Sequence, residues 1–176
     1  MSANPETPVS RRRALKTGAL GAIALAVAGS VGGMLQFAWP RNVKGFGGAF
    51  TVPAEVLPVP GGDPVPYSPA QALIVNVAPS ETGPGGILAL WRKCPHLGCN
   101  VPWRPEFEYR GTRGWFRCPC HQSTYTRAGV RVYGPAPRSM DTFEVAFDVQ
   151  GRLVIDTGRI TAGGDDNPGR AVRAPG

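Results

Sequence analysis

At 176 residues the chain has room for one main domain with appendages. Glycine and proline are abundant, at 24 and 19 residues, but a hydrophobic content of 42% excludes a wholly disordered polymer and fits a small, loop-rich β protein. The formal charge of +7 raises nucleic acid as a partner, yet no nucleic-acid-binding motif accompanies it, and no such partner is expected.

The first element is a targeting segment. Ser10-Arg11-Arg12-Arg13-Ala14-Leu15-Lys16 has the pattern of a twin-arginine export signal, with Arg11 and Arg12 as its pair and Ala14 where the pattern prefers Phe. Residues 1–16 are therefore read as a cytoplasmic signal, followed by a transmembrane anchor over 17–39. From Thr17 to Trp39 there are 23 residues without a charge. As a helix that run spans about 34 Å, enough for a hydrocarbon core of about 30 Å. Gly29 and Gly33 form a small-xxx-small pair suited to packing on another membrane helix. Ala26-Val27-Ala28 also fits a cleavage site, which would release a soluble protein. The anchor is favoured because the apolar run continues past Ala28 to Trp39, an interface-type residue. Arg11, Arg12, Arg13 and Lys16 precede the run, whereas only Arg41 and Lys44 follow closely. This asymmetry predicts a cytoplasmic N-terminus and a head on the outer side of a cell membrane.

Pro40–Gly48, with glycines at 45, 47 and 48, reads as a flexible hinge. The head is expected over 49–160. Strands are predicted at Ala72–Ala78, Ile87–Lys93, Trp115–Arg117, Val130–Tyr133, Thr142–Val149 and Arg152–Asp156. Phe143, Val145, Phe147 and Val149 alternate with Glu144, Ala146 and Asp148, as a half-buried strand requires. Gln150-Gly151 supplies the turn into the next strand. No part of the head reads as an amphipathic helix. Residues 161–176 are polar and rich in Gly and Pro, and are expected to be disordered.

All four cysteines and both histidines fall in two boxes, Cys94-Pro95-His96-Leu97-Gly98-Cys99 and Cys118-Pro119-Cys120-His121-Gln122-Ser123. Thiolate and imidazole are ligands of zinc, copper and iron–sulfur clusters. A zinc finger usually offers a cysteine pair and then a histidine pair. Here each box mixes one Cys with one His and leaves a second cysteine over. A zinc-binding interaction module accounts for four of the six residues and remains the non-redox alternative.

The pattern of two Cys, two His and a spare Cys pair resembles the Rieske [2Fe–2S] proteins, in particular the Rieske subunits of cytochrome bc-type quinol–cytochrome c reductases. The resemblance implies an all-β fold: an antiparallel β-sandwich head with an inserted cluster-binding subdomain, about residues 91–139, preceded by one transmembrane helix. It implies one [2Fe–2S] cluster per chain, with Cys94 and Cys118 on one iron and His96 and His121 on the other. It pairs Cys99 with Cys120 in a disulfide. Ser123 and Tyr125 would donate hydrogen bonds to cluster sulfurs and raise the potential, because a donor aimed at sulfur favours the more negative, reduced state. Leu97 and the proline loop Gly134-Pro135-Ala136-Pro137 would cover the cluster. His121 would meet a quinol, with a cytochrome b-type membrane subunit and a c-type cytochrome acceptor as partners and proton release coupled to the electron. A second family reading, the Rieske small subunit of an arsenite-oxidase-type molybdoenzyme, shares the export signal. The proline loop, Ser123 and a retained anchor weigh against it, and a soluble Rieske ferredoxin lacks the spare cysteine pair.

Two features depart from the family. Gln122 stands where the family usually has Gly, so the backbone there is expected to differ. Twenty-one residues separate His96 from Cys118, a longer run than usual. Gly111-Thr112-Arg113-Gly114 looks like a turn, so the extra length is read as a hairpin excursion near Arg104–Gly114. Between Arg92 and Arg138 nine basic residues face only Glu106 and Glu108. Such a surface is either merely solvated, or suits docking on an acidic electron acceptor or anionic lipid headgroups.

Overall fold

The N-terminal helix begins within the arginine run rather than after it. In the computed structural model, which describes residues 10–38, 47–79 and 85–174, α1 spans Arg11–Ala38. Ser10 caps it, its Oγ accepting from the Arg13 N–H at 3.3 Å. Thr17 and Ser30 donate to the carbonyls of Arg13 and Ala26, each at 2.8 Å. Both hydroxyls are thus satisfied within the helix, as an apolar solvent demands. α1 is long and apolar enough to cross a membrane. Trp39 and hinge residues 40–46 lie outside the described residues, and the expected hinge is corrected at its end: Gly47 and Gly48 are docked on the head, their N–H groups donating to Thr157 Oγ1 at 2.9 and 3.1 Å. The chain divides into two units, Met1–Val43 and Lys44–Gly176.

The second unit is built from ten strands in two antiparallel sheets. The larger sheet takes β1 (Ala49–Val52), β2 (Val65–Tyr67), β3 (Ala72–Val77), β4 (Gly86–Trp91), β9 (Ser139–Phe147) and β10 (Leu153–Gly163), in the order β1-β10-β9-β4-β3-β2. The smaller takes β5 (Trp103–Tyr109), β6 (Thr112–Arg117), β7 (Thr124–Tyr125) and β8 (Arg131–Tyr133), in chain order. The small sheet is therefore inserted between β4 and β9 of the large one.

The apolar runs explain why the large sheet is central. Along β3 and β4 successive side chains point to opposite faces. Leu73, Val75, Leu88 and Leu90 face one core, together with Cys94, Val101, Phe116, Cys118, Tyr125 and Met140. Ala72, Ile74, Ile87 and Ala89 face the other, together with Val52, Phe143, Val145, Leu153 and Ile155. Each fully buried aliphatic side chain contributes about 1.5–3 kcal/mol. The first core carries both Cys94 and Cys118, so the future site rests on the best-packed part of the head.

Three strands, β1, β2 and β7, escaped the sequence reading, whereas β5 is the first arm of the expected hairpin excursion. β1, β2 and β5 are sheet edges. Pro66 and Pro105 sit inside β2 and β5, where an edge tolerates the missing donor. β7 is only two residues long. The hairpin excursion is present as β5–β6, but its turn lies earlier than expected. Tyr109 pairs with Thr112, which leaves Arg110-Gly111 as a two-residue loop with φ of 51° and 74°. Both signs positive is the mirror-type turn that matches strand twist.

The expected disordered tail is corrected over its described part. β10 runs on to Gly163, and a 3-10 turn follows at Asn167–Arg170. Asn167 is fully buried and its amide donates to the carbonyls of Ala128 and Met140 at 3.2 and 2.9 Å. Val172 then bridges to Ile87 of β4. Polar composition misled here because one buried amide, doubly bonded, ties a hydrophilic segment to the core.

Candidate metal centre

The two boxes adopt the same backbone turn. In the first, the Cys94 N–H donates to Cys99 O at 2.8 Å and the Gly98 N–H to Cys94 O at 2.9 Å. In the second, the Cys118 N–H donates to Ser123 O and the Gln122 N–H to Cys118 O, both at 2.9 Å. The residues flanking each turn also pair, Lys93 with Asn100 and Arg117 with Thr124. The fifth residue of each turn is left-handed, with φ of 77° at Gly98 and 61° at Gln122. The departure expected at Gln122 is thus corrected: the backbone keeps the glycine-type conformation, and the side chain bears the strain.

Two turns of this kind, side by side, bring the chemistry together. Cys94 and Cys118 are buried free thiols. The rings of His96 and His121 lie edge to face with centroids 4.9 Å apart. His96 is half-buried and His121 exposed. Cys99 and Cys120 form a disulfide, with Cα atoms 6.7 Å apart, that ties one turn to the other. The sulfurs of Cys99, Cys118 and Cys120 lie within 4.8 Å of one another. That trio is no metal site, because two of its members are bonded to each other. What remains is two thiols and two imidazoles on adjacent turns. This donor set fits a [2Fe–2S] group with mixed ligation, and a lone zinc would leave unexplained why the turns are also cross-linked.

The surroundings of Cys118 oppose its ionisation. Burial pushes the Cys118 thiol up, and its hydrogen bond and charge contact with Cys94 push it further. Metal binding reverses this by stabilising thiolate. The Tyr125 hydroxyl lies 3.1 Å from Cys94 Sγ. Burial first, and then the contact with Cys94, raises the Tyr125 phenol well above its ordinary value, so it remains a proton donor. Beside a cysteine sulfur held as thiolate, it can only donate.

Ser123 is fully buried and joins the second turn to the proline loop. Its Oγ accepts from the Ala136 N–H at 3.1 Å, which leaves the hydroxyl proton to be donated elsewhere. Gly134 has φ of 108°, and a Cβ there would stand 2.4 Å from Ser123 Cα. The glycine of this loop is therefore a close-approach residue, not only a turn residue. Ala136 is buried while Pro135 and Pro137 are exposed. Leu97, at the tip of the first turn, is 71% exposed.

Sequence reasoning missed how Gln122 is held. Arg117 donates from Nη2 to Gln122 Oε1, and its guanidinium lies 4.1 Å from the centroid of the Phe107 ring. The signal was available in the alignment of the boxes with each other, where Gln122 takes the place of Gly98. The count of basic residues also needs correcting. Asp63 and Asp141, both outside the counted stretch, pair with Arg127 at 3.7 Å and Arg138 at 2.8 Å. The local positive excess is smaller than the linear sequence suggests.

A two-sheet antiparallel head with a Cys/His donor set on paired, cross-linked turns defines an iron–sulfur protein. The sequence model of the Rieske [2Fe-2S] domain matches residues 54–144, a span that contains both boxes, Ser123, Tyr125 and the proline loop. Iron-sulfur subunit 1 of the cytochrome b6-f complex from the cyanelle of Cyanophora paradoxa is 33% identical over 170 residues, covering 88% of this chain and 67% of that protein. Iron-sulfur subunit 1 of the cytochrome b6-f complex of Synechocystis sp. is 30% identical over 147 residues, covering 78% and 79%. The menaquinol:cytochrome c reductase iron-sulfur subunit of Geobacillus thermodenitrificans is 38% identical over 73 residues, covering 40% of each chain. This chain belongs to the Rieske [2Fe–2S] family, and its cofactor is a [2Fe–2S] cluster.

Proposed function

We propose that the chain is the membrane-anchored electron-transfer subunit of a quinol–cytochrome c oxidoreductase complex. The observation that carries this is the donor set: two buried thiols left unpaired beside a disulfide, with two imidazoles next to them at the surface. Cys94, His96, Cys118 and His121 would hold the cluster. When bound, the cluster supplies a one-electron acceptor. The named relatives, subunits of b6-f and menaquinol:cytochrome c reductase complexes, support a quinol donor, a cytochrome b-type membrane subunit and a c-type cytochrome acceptor.

The protein's own contribution follows from exposure. His121 presents its ring to solvent, so a quinol hydroxyl can reach its free nitrogen and pass a proton there. Tyr125 donates toward the Cys94 sulfur from a buried side, and Ser123, equally buried, would donate toward a cluster sulfur. Exposed Leu97 and the prolines 135 and 137 give the donor face an apolar rim suited to a quinol ring. Arg11 and Arg12 serve as the twin-arginine export signal, α1 as a single-pass anchor with a cytoplasmic N-terminus, and residues 40–46 as the tether of an outward-facing head.

Electron paramagnetic resonance of the reduced protein tests the centre. A g-average well below 2 supports the assignment, whereas a silent chain holding one zinc overturns it. Replacing Val43 and Gly45 with proline tests the tether, since proline fixes φ; Gly47 and Gly48 are left unchanged because their N–H groups donate to Thr157 of the head. Turnover in the assembled complex should slow with the spectrum and potential unchanged. Full turnover would show that the head does not need this segment to move.

A further inference from the structure

Gln122 occupies a backbone conformation that disfavours any residue with a Cβ, so something must hold it. Its counterpart Gly98 needs no support, since φ is free to be positive there and a Cβ would meet nothing within 4 Å. The second turn is held from outside. Arg117 Nη2 donates to Gln122 Oε1, and the guanidinium is carried on the face of Phe107 at 4.1 Å. The Gln122 carbonyl accepts from Thr124 Oγ1 at 2.9 Å. Phe107 belongs to β5, the edge strand of the long hairpin between the boxes. Arg117 precedes Cys118 directly, and its own N–H is fixed to Pro102 O at 3.1 Å.

The two departures from the family are thereby in physical contact. The longer hairpin supplies the ring, the ring carries the guanidinium, and the guanidinium holds the glutamine that replaces glycine. We propose that Phe107, Arg117 and Gln122 form one positioning relay that keeps the second turn, and with it His121, in a single arrangement. An arginine suits this role and a lysine does not. The planar guanidinium can stack on an aromatic face while a second edge donates to an amide oxygen. His121 needs the support more than His96, because it is the exposed imidazole. The importance of its orientation rests on the function proposed above, in which it is the quinol-facing ligand.

The test uses the full chain and reads amide hydrogen exchange across residues 118–124. Arg117→Met keeps the side-chain length but removes the donor, and should accelerate exchange there roughly twofold to fivefold. Phe107→Leu should give a smaller change in the same residues, and Arg117→Lys should rescue only in part. Gln122→Gly should make the Arg117→Met change largely disappear, because no side chain is left to hold and no strain is left to offset. In the reduced, cluster-bearing chain, Arg117→Met should shift the paramagnetic g-values, while Gln122→Glu keeps the acceptor and the wild-type g-anisotropy. Unchanged exchange in Arg117→Met, or effects of Arg117→Met and Gln122→Gly that simply add, would overturn the relay. If Arg117→Met does not fold, exposed Gln122→Ala carries the same test, with local acceleration expected and an unchanged pattern fatal. A wild-type chain without the [2Fe–2S] spectrum would sink the functional reading and leave the exchange result standing.

Discussion

The two turns that bear the donors share a backbone and differ in what keeps it. In the first, Gly98 adopts a left-handed φ at no steric cost and its surroundings are open. In the second, Gln122 adopts nearly the same φ and is held by Arg117, with Ser123 and the proline loop packed behind. One turn is specified locally by residue type, the other by tertiary contact. Locally specified structure survives changes elsewhere, whereas structure specified by contact can be lost through residues distant in sequence.

The disulfide is where the comparison is most easily broken. Cys99–Cys120 closes a loop with a sequence separation of 21 and adds a covalent link to the side-chain contacts between the two turns. Replacing both cysteines with serine should destabilise the head by about 3 kcal/mol, the loop-closure value for this length. The second turn should suffer more, since its conformation depends on staying in register with its neighbours. Denaturant unfolding of the oxidised protein measures the total, and amide exchange in the two turns measures the split. Equal loosening of both turns would remove the distinction drawn above.

Next in size are the buried hydroxyls. Tyr125 follows the second turn in sequence yet touches the sulfur of the first, Cys94, at 3.1 Å. Tyr125→Phe should lower the midpoint potential while leaving the cluster bound. A hydrogen bond to a charged acceptor is worth about 1.5–3 kcal/mol, or roughly 60–130 mV for one electron. Ser123→Ala should move the potential the same way and also loosen the proline loop, because Ala136 loses its acceptor. Redox titrations unchanged in both variants would show that neither hydroxyl addresses the centre.

Much of this site was legible in the sequence because its donors are rare residue types at short spacing. Six ligand-type residues confined to two boxes left few chemical options, and the apolar runs of β3, β4 and β9 marked the central strands of the large sheet. Legibility failed where neither composition nor periodicity reports the stabilising contact. Edge strands β2 and β5 each carry a proline, and β5 carries charge as well, because an edge must resist further pairing. The tail looked disordered because its order rests on Asn167, whose two backbone acceptors come from residues 27 and 39 positions away. Gln122 looked like a perturbation because a single family pattern shows which residue is missing, not which contact replaces it.

The finest comparison exchanges the two fifth residues. Gly98→Gln places a side chain at φ of 77° in open space, so the cost is strain without a clash. Strain of about 1–2 kcal/mol, reduced by about 0.4–1 kcal/mol because glutamine is less free than glycine in the unfolded chain, leaves an expected net loss of about 0.5–1 kcal/mol. Lys93 occupies the place of Arg117, but its Nζ already lies 5.0 Å from the Trp91 ring centroid. Gln122→Gly runs the other way. It removes strain of about 1–2 kcal/mol and surrenders an exposed charge-assisted hydrogen bond of about 0.5–1 kcal/mol. The extra freedom of glycine in the unfolded chain costs about another 0.4–1 kcal/mol. The central values of these terms cancel, so the net effect should be close to zero and within about 1 kcal/mol of it. Measured together by denaturant unfolding, the pair separates two accounts. Equal and opposite shifts would mean that φ alone governs both turns. A clear loss at 98 with almost no change at 122 is the result expected if tertiary contact has taken over the work of a glycine.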